Sequence, residues 1–215
     1  PVGPADEPEG GPGRPTPAGG EGGSVAVVVP ERHSYLSETL HGARTVLQEA
    51  GVRTVLFLSP QVAGAERPLV ERALAEGAAG LLIAPRWRSL AAEEADYHWL
   101  AATGVPTVLM ERWPRSGSAL HALDTVCSDH WYGVHLAVEH LVRLGHRRLV
   151  LAARDDSPTA RAIRAAFTEI AAAHAQVTDW TVTLSSPDAV AEADEGRALG
   201  RGGAVDLAGL LRRRG

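Results

Sequence analysis

The chain has 215 residues, of which 45% are hydrophobic and 22% charged, and its formal net charge is −5. This hydrophobic fraction is typical of a chain with a packed core, which excludes global disorder. All basic side chains apart from histidine are arginines and none form a basic stripe, so no DNA-binding module is expected within this chain.

The single cysteine and the N-terminal composition indicate where the protein functions. Cys127 has no second cysteine for a disulfide or a zinc site, which favours a reducing cytoplasm. No apolar run reaches about 18 residues, so no membrane span is predicted. Residues 1–23 contain 14 Gly or Pro residues and lack the pattern of a signal peptide. They are predicted to be a disordered tail or linker, and the protein is expected to be cytoplasmic.

Short apolar strands alternate with amphipathic helices over residues 24–128. Strands or extended segments are predicted at 24–30, 53–60, 79–85, 105–112 and 123–129. Helices are predicted at 34–51, 66–76 and 91–104. Strands that alternate with helices through short loops predict an α/β fold, with a doubly wound parallel sheet and right-handed crossovers.

The same alternation continues after residue 129 and then fades. A helix, a strand, a helix and a strand are predicted at 129–145, 147–153, 157–173 and 178–185. Asp129 is placed to cap the first of these helices. From residue 186 onward only a short helical patch at 207–211 remains. The sequence therefore predicts a complete first lobe at 24–128, and a partial second lobe with a degenerate C-terminal tail at 129–215.

Three stretches of the sequence, in this order along the chain, resemble segments of a known family. The first is VAVVVP followed by a helix that contains Gly42 and Gly51, and the second pairs AGLLIAP with TGVPTVLMER. The third and most specific is SDHWYGVHLAVEHLVRLGHRRLVLA at 128–152, with its Gly-His-Arg run. Together they resemble the effector-binding part of the LacI/GalR family of bacterial transcription regulators.

The resemblance implies a periplasmic-binding-protein-like fold in a repressor-type regulator that senses a small effector, a carbohydrate or a related metabolite. It implies a homodimer paired through the first two helices, and operator DNA bound through a helix-turn-helix domain. Residues 1–23 cannot supply that domain, so operator DNA is expected to be bound only through a part missing from this chain. Two alternatives stay open: a solute-binding protein of a sugar transporter, and a non-functional truncated remnant.

In a fold of this type, a small ligand binds at the carboxyl ends of the strands. Trp paired with Arg or Asp suits the apolar ring face and the vicinal hydroxyls of a sugar. The candidate ligand-binding residues in these loops are Tyr35, Arg86, Trp87, Arg112, Trp113, Asp129, Trp131, Arg161 and Arg164. Trp131 and Arg112 are expected to be the main contacts. The alternative is that the tryptophans only cover the sheet edge and that Asp129 is only a helix cap.

No enzyme, cofactor or metal site is predicted. His135 and Glu139 have the spacing of two metal ligands, but no third ligand follows at a suitable distance. Cys127 and His130 lie at a strand–helix junction, where a thiol and its base rarely face each other. The turn after the first strand, PERHS, lacks the glycines of a dinucleotide fingerprint.

Overall fold

The computed structural model describes residues 23–31, 36–60, 62, 64–87, 90–154 and 157–185. Three sequence predictions lie outside the described residues: the N-terminal tail apart from Gly23, the candidate residue Tyr35, and the C-terminal tail from residue 186 with its helical patch. Within the described part, the predicted alternation of strands and helices is confirmed.

Seven strands and five α-helices make up the described part of the chain. Strands β1 to β7 are Ser24–Pro30, Arg53–Ser59, Ala78–Ile83, Thr107–Met110, Asp124–Val126, Arg148–Ala153 and Asp179–Leu184. Helices α1 to α5 are Ser37–Glu49, Glu66–Ala75, Leu90–Tyr97, His130–Arg143 and Pro158–Ala173. The helix predicted at 91–104 is α-helical only to Tyr97 and continues as a 3-10 helix at His98–Ala102.

The first five strands form one parallel sheet in the order β2-β1-β3-β4-β5. In this order β2 lies on one side of β1, whereas β3, β4 and β5 follow on the other side. In a parallel sheet, such a reversal opens a crevice at the carboxyl ends of the strands, where ligands bind. The carboxyl ends of these strands form the edge of the sheet where the sequence predicts the candidate site.

Helices cover both faces of this sheet, which confirms the doubly wound arrangement. On one face, Val28 and Ile83 pack with Val70 of α2 and with Leu100 of the 3-10 helix. On the other face, Val27 packs with the residues that begin α1. Alternate residues of β1 enter the two cores, which explains why its sequence is apolar throughout.

The last two strands form a separate parallel sheet, β6-β7, against which α5 packs. Phe167 and Ile170 of α5 share a core with Val138 and Val142 of α4. The division of the chain into lobes at residues 128 and 129 stays a prediction.

Side-chain caps begin both helices of this second part, and the cap on α4 is the one that the sequence predicts. The Asp129 carboxylate accepts a hydrogen bond from the Tyr132 amide at 2.9 Å and caps α4. The Ser157 hydroxyl accepts one from the Ala160 amide at 3.1 Å and caps α5, which has Pro158 in its first turn. These caps fix where both helices begin, and both beginnings lie at the pocket described next.

Candidate functional site

A pocket of about 600 Å³ lies where three strands of the first sheet end. Its wall contains Trp87 after β3, Glu111 and Trp113 after β4, and residues 127–131 after β5. The first two turns of α5 form the opposite wall. This volume lies within the range of small-molecule sites, so the pocket is large enough for an effector.

The pocket brings together most of the residues that the sequence nominates. Five candidates line it: Trp87, Trp113, Asp129, Trp131 and Arg161. The candidates Arg86, Arg112 and Arg164 are described but do not belong to its lining, and Tyr35 lies outside the described residues. Ligand contact by each of these residues stays a prediction.

The three tryptophans of the pocket differ sharply in exposure. Trp113 is 73% exposed and Trp131 46% exposed, so both rings present surface that a ligand can cover. The Trp131 ring also stacks on His135 with the two planes 10° apart. Trp87 is only 2% exposed and meets Tyr97 edge to face, with the ring centroids 5.7 Å apart. Trp87 therefore forms the floor of the pocket, whereas the other two offer ring faces.

Glu111 holds an unusual backbone conformation at the end of β4. Its φ is 53°, in the left-handed region that non-glycine residues seldom adopt. The carboxylate accepts hydrogen bonds from the Ser128 amide at 3.2 Å and the Ser128 hydroxyl at 2.9 Å. Its second oxygen lies 3.6 Å from Nε2 of His130. Such strained residues cluster at functional sites, and this one ties β4 to the loop after β5.

The three candidate arginines outside the pocket lining form hydrogen bonds with the loops and helices around the pocket. Arg112 is 3% exposed; its Nε donates to the Pro85 carbonyl, and its Nη1 donates to the Glu111 carbonyl at 2.7 Å. Arg164 donates to the Arg154 carbonyl. The Arg86 amide donates to the Tyr97 hydroxyl at 3.3 Å. The buried Arg112 side chain thus connects the loop after β3 with the loop after β4.

The chemistry of Cys127 gives no support to a thiol nucleophile. Burial raises the pKa of Cys127 to about 11, and the negative charge of Glu111 acts in the same direction. The thiol is therefore protonated near neutral pH, whereas a reactive cysteine needs its thiolate. His130, the base considered from the sequence, lies beside the Glu111 carboxylate.

The metal alternative on α4 also finds no support among the described residues. Glu139 is paired with Nε2 of His174 at 3.0 Å, which joins α4 to the end of α5. The described part of the chain contains no group of three or more metal-ligating side chains. None of its helices is long and apolar enough to cross a membrane.

Glu93 is a pocket residue that the sequence analysis missed. It lies in the first turn of α3 and is 1% exposed, and its Oε1 accepts a hydrogen bond from the Arg115 amide at 2.8 Å. Partial burial lowers the pKa of Arg161, and the negative charge of Glu93 opposes that shift. Glu93 does not directly follow a strand, as most of the other candidates do, but lies in the helix after the β3 loop, and that position is the signal that could have identified it.

Comparisons with known proteins agree with the fold of the described residues. The family model described as periplasmic binding proteins and sugar-binding domain of the LacI family matches residues 23–197. A search of curated proteins found no match. Among solved structures, the Escherichia coli transcriptional repressor ascG is 21% identical with a TM-score of 0.59, and the match covers 80% of this chain and 63% of that one.

Two further solved structures show the same fold. The lac repressor dimer bound to operator and to the anti-inducer ONPF is 19% identical with a TM-score of 0.62, covering 84% of this chain and 63% of that one. The Cra regulator from Pseudomonas putida, in complex with fructose 1-phosphate, is 16% identical with a TM-score of 0.60, covering 82% of this chain and 65% of that one. The chain thus spans less than two thirds of each of these proteins.

Proposed function

Because the chain belongs to the family of periplasmic binding proteins and sugar-binding domains of LacI-type regulators, we propose that it is the ligand-sensing portion of a transcription regulator. In this proposal, a small carbohydrate-like effector binds in the pocket at the ends of β3, β4 and β5. One observation carries the proposal: the exposed rings of Trp113 and Trp131 share a single pocket with Asp129 and Arg161.

These side chains match the two kinds of surface that a sugar presents. An exposed indole packs against the apolar C–H face of a sugar ring. A carboxylate accepts hydrogen bonds from hydroxyl groups, and a guanidinium donates to oxygens through a planar fork. Asp129 is exposed although it caps α4, so its carboxylate can serve a ligand as well as the helix.

The position of the pocket also suggests how ligand binding is transmitted. One wall belongs to loops of the five-stranded sheet, and the other belongs to α5, which packs on the two-stranded sheet. A ligand that contacts both walls favours the arrangement in which both contacts form. In the proposed regulator, that shift alters how operator DNA is bound by a DNA-binding domain outside this chain.

A carbohydrate panel tests the proposed ligand class. We expect at least one neutral or charged sugar to change the tryptophan fluorescence of the chain and to give a calorimetric binding isotherm. Trp131→Ala is expected to weaken its binding roughly tenfold, because a stacked, partly buried aromatic ring contributes about 1–3 kcal/mol. The measurement is the Kd by isothermal titration calorimetry.

Arg72→Ala is the matched control for this experiment, since Arg72 lies on the exposed side of α2 and does not line the pocket. It should leave the Kd within about twofold of the original value. If Trp131→Ala and Arg161→Ala both behave like this control, the site is misplaced. If no sugar binds at all, the non-functional remnant becomes the better interpretation.

The proposed regulator acts as a homodimer, and the edge of the first sheet offers a surface for pairing. The edge strand β2 exposes Leu56 at 53% and Leu58 at 47%. They lie opposite Val27 and Val29 of β1, on the face of the sheet that carries α1. By contrast, the apolar residues of α2 pack into the core, so the pairing surface is expected mainly on β2 and α1.

We expect the chain to sediment as a dimer at tens of micromolar and Leu58→Glu to sediment as a monomer, because a buried unpaired carboxylate opposes association. Leu144→Glu is the control, since Leu144 is also an exposed leucine, at 63%, but lies at the end of α4. It should remain dimeric. A monomeric parent protein, or equal behaviour of the two variants, would contradict pairing through β2.

A further inference from the structure

The charged side chains in the pocket wall are mostly acidic. Of the described residues, three carboxylates line it, on Glu93, Glu111 and Asp129, together with the guanidinium of Arg161 and the imidazole of His130. Among the lining residues that the structure describes, carboxylates therefore outnumber guanidinium groups three to one. Desolvated charges of one sign favour a ligand of the opposite sign, because unlike charges attract more strongly where water is excluded.

The three carboxylates differ in how fully the protein satisfies them. Both oxygens of Glu111 face polar groups of Ser128 and His130, and Asp129 accepts the amide that begins α4. Glu93 is 1% exposed and its Oε1 accepts the Arg115 amide, but its Oε2 has no hydrogen-bond partner among the described residues. A buried carboxylate oxygen without a donor is unfavourable, so a ligand donor is expected to bind there.

One more buried polar atom without a hydrogen-bond partner in the described part of the chain belongs to the same wall, Oγ1 of Thr159. Nε2 of His130 also makes no hydrogen bond there, but it lies 3.6 Å from the Glu111 carboxylate. Native proteins pair nearly all buried polar atoms, so the unpartnered atoms of Glu93 and Thr159 around one pocket indicate a polar ligand. An imidazole and a hydroxyl can both exchange hydrogen bonds with ligand hydroxyl groups.

The same wall is poorly suited to a phosphorylated sugar, the ligand named for the Cra regulator. Phosphate sites use clustered arginines or the free amides at a helix N-terminus. Here the N-terminus of α4 is capped by the Asp129 carboxylate, and α5 begins with a serine cap and with Pro158, which has no N–H. Among the described lining residues, a phosphate would meet three carboxylates and the single guanidinium of Arg161.

We infer that the pocket selects an unphosphorylated amino sugar, a ring that carries hydroxyl groups and one protonated amine, with Glu93 as the partner of the amine. This inference rests on the proposed function and names the ligand class of the same pocket. The ammonium group provides the charged donor for Oε2, and charge-assisted hydrogen bonds are about twice as strong as neutral ones. The exposed face of Trp131 can also contact an ammonium group through its π-electrons.

The test uses matched sugars that differ in one group and the full chain of 215 residues. Glucosamine, galactosamine and mannosamine are each compared by calorimetry with the N-acetyl form, the parent hydroxyl sugar and the parent 6-phosphate. At least one amine is expected to bind about tenfold or more tightly than its N-acetyl and parent forms, with the 6-phosphate weakest. N-acetylation removes the charge and keeps the ring.

Two variants locate the origin of this preference. Glu93→Gln keeps the shape of the side chain and its acceptor for the Arg115 amide, but removes the charge. It should abolish most of the amine preference and change the Kd of the parent sugar by less than about threefold. Glu94→Gln is the control, because Glu94 also has a buried, unpartnered oxygen in the described part of the chain but does not line the pocket. It should keep the preference.

The outcomes separate this inference from the proposed function. Neutral sugars that bind as tightly as their amines would overturn the inference and leave the sensor proposal standing. An amine preference that survives Glu93→Gln would also overturn it. If that variant does not fold, the comparison of each amine with its N-acetyl form in the parent protein decides. If no sugar of any charge binds, both proposals fall.

Discussion

Trp87→Ala is expected to lower the free energy of unfolding by about 3–5 kcal/mol, the usual loss when a buried tryptophan becomes alanine. Trp87 lies in the main core of the first sheet and packs edge to face on Tyr97. Tyr97 in turn donates a hydrogen bond to the buried Glu66 carboxylate at 3.1 Å. Removal of the indole therefore leaves a cavity beneath the pocket and loosens this polar pair. Urea unfolding followed by circular dichroism measures the change.

Trp113→Ala provides the control for this prediction. Trp113 lines the same pocket but is largely exposed, so its removal should change the free energy of unfolding by less than about 1 kcal/mol. Both variants lose one indole from the pocket wall, and only Trp87→Ala loses a core side chain. Equal losses of stability in the two proteins would show that Trp87 does not carry the packing assigned to it.

The strands and helix ends were predictable because each follows from local chemistry. The run from Val27 to Val29 is apolar at every position, and both faces of β1 are buried in the structure. Asp129 and Ser157 are short polar side chains directly before helical periodicity, and both cap the helices that follow. Fold class and the edge of the sheet that carries the pocket follow from such elements and from their alternation.

The roles of individual pocket residues were not predictable in the same way. Trp87, Trp113 and Trp131 all come shortly after strands, and nothing in the sequence distinguishes them. In the structure one is buried and two are exposed, because burial depends on how each loop folds over distant residues. Glu93 escaped notice for the same reason: its position beside the pocket arises from the path of α3 and not from a motif.

Arg112→Ala is expected to lower the free energy of unfolding by about 3 kcal/mol. The buried guanidinium donates to the carbonyls of Pro85 and Glu111, and alanine leaves both without this donor. Each buried acceptor that loses its donor costs about 1–3 kcal/mol. The loss also removes support from Glu111, whose left-handed backbone conformation needs its neighbours to hold it. Chemical unfolding monitored by tryptophan fluorescence gives the value.

Arg112→Lys and Arg164→Ala make this prediction specific. Lysine keeps the charge but has no planar fork to bridge two carbonyls, so it should recover less than about half of the lost stability. Arg164 donates to the Arg154 carbonyl at an exposed position, so its alanine variant should lose less than about 1 kcal/mol. An Arg112→Ala protein as stable as Arg164→Ala would show that the two carbonyls find other donors. The sequence also predicts ligand contact by Arg112, and weaker sugar binding by a folded Arg112→Lys protein would support that second role.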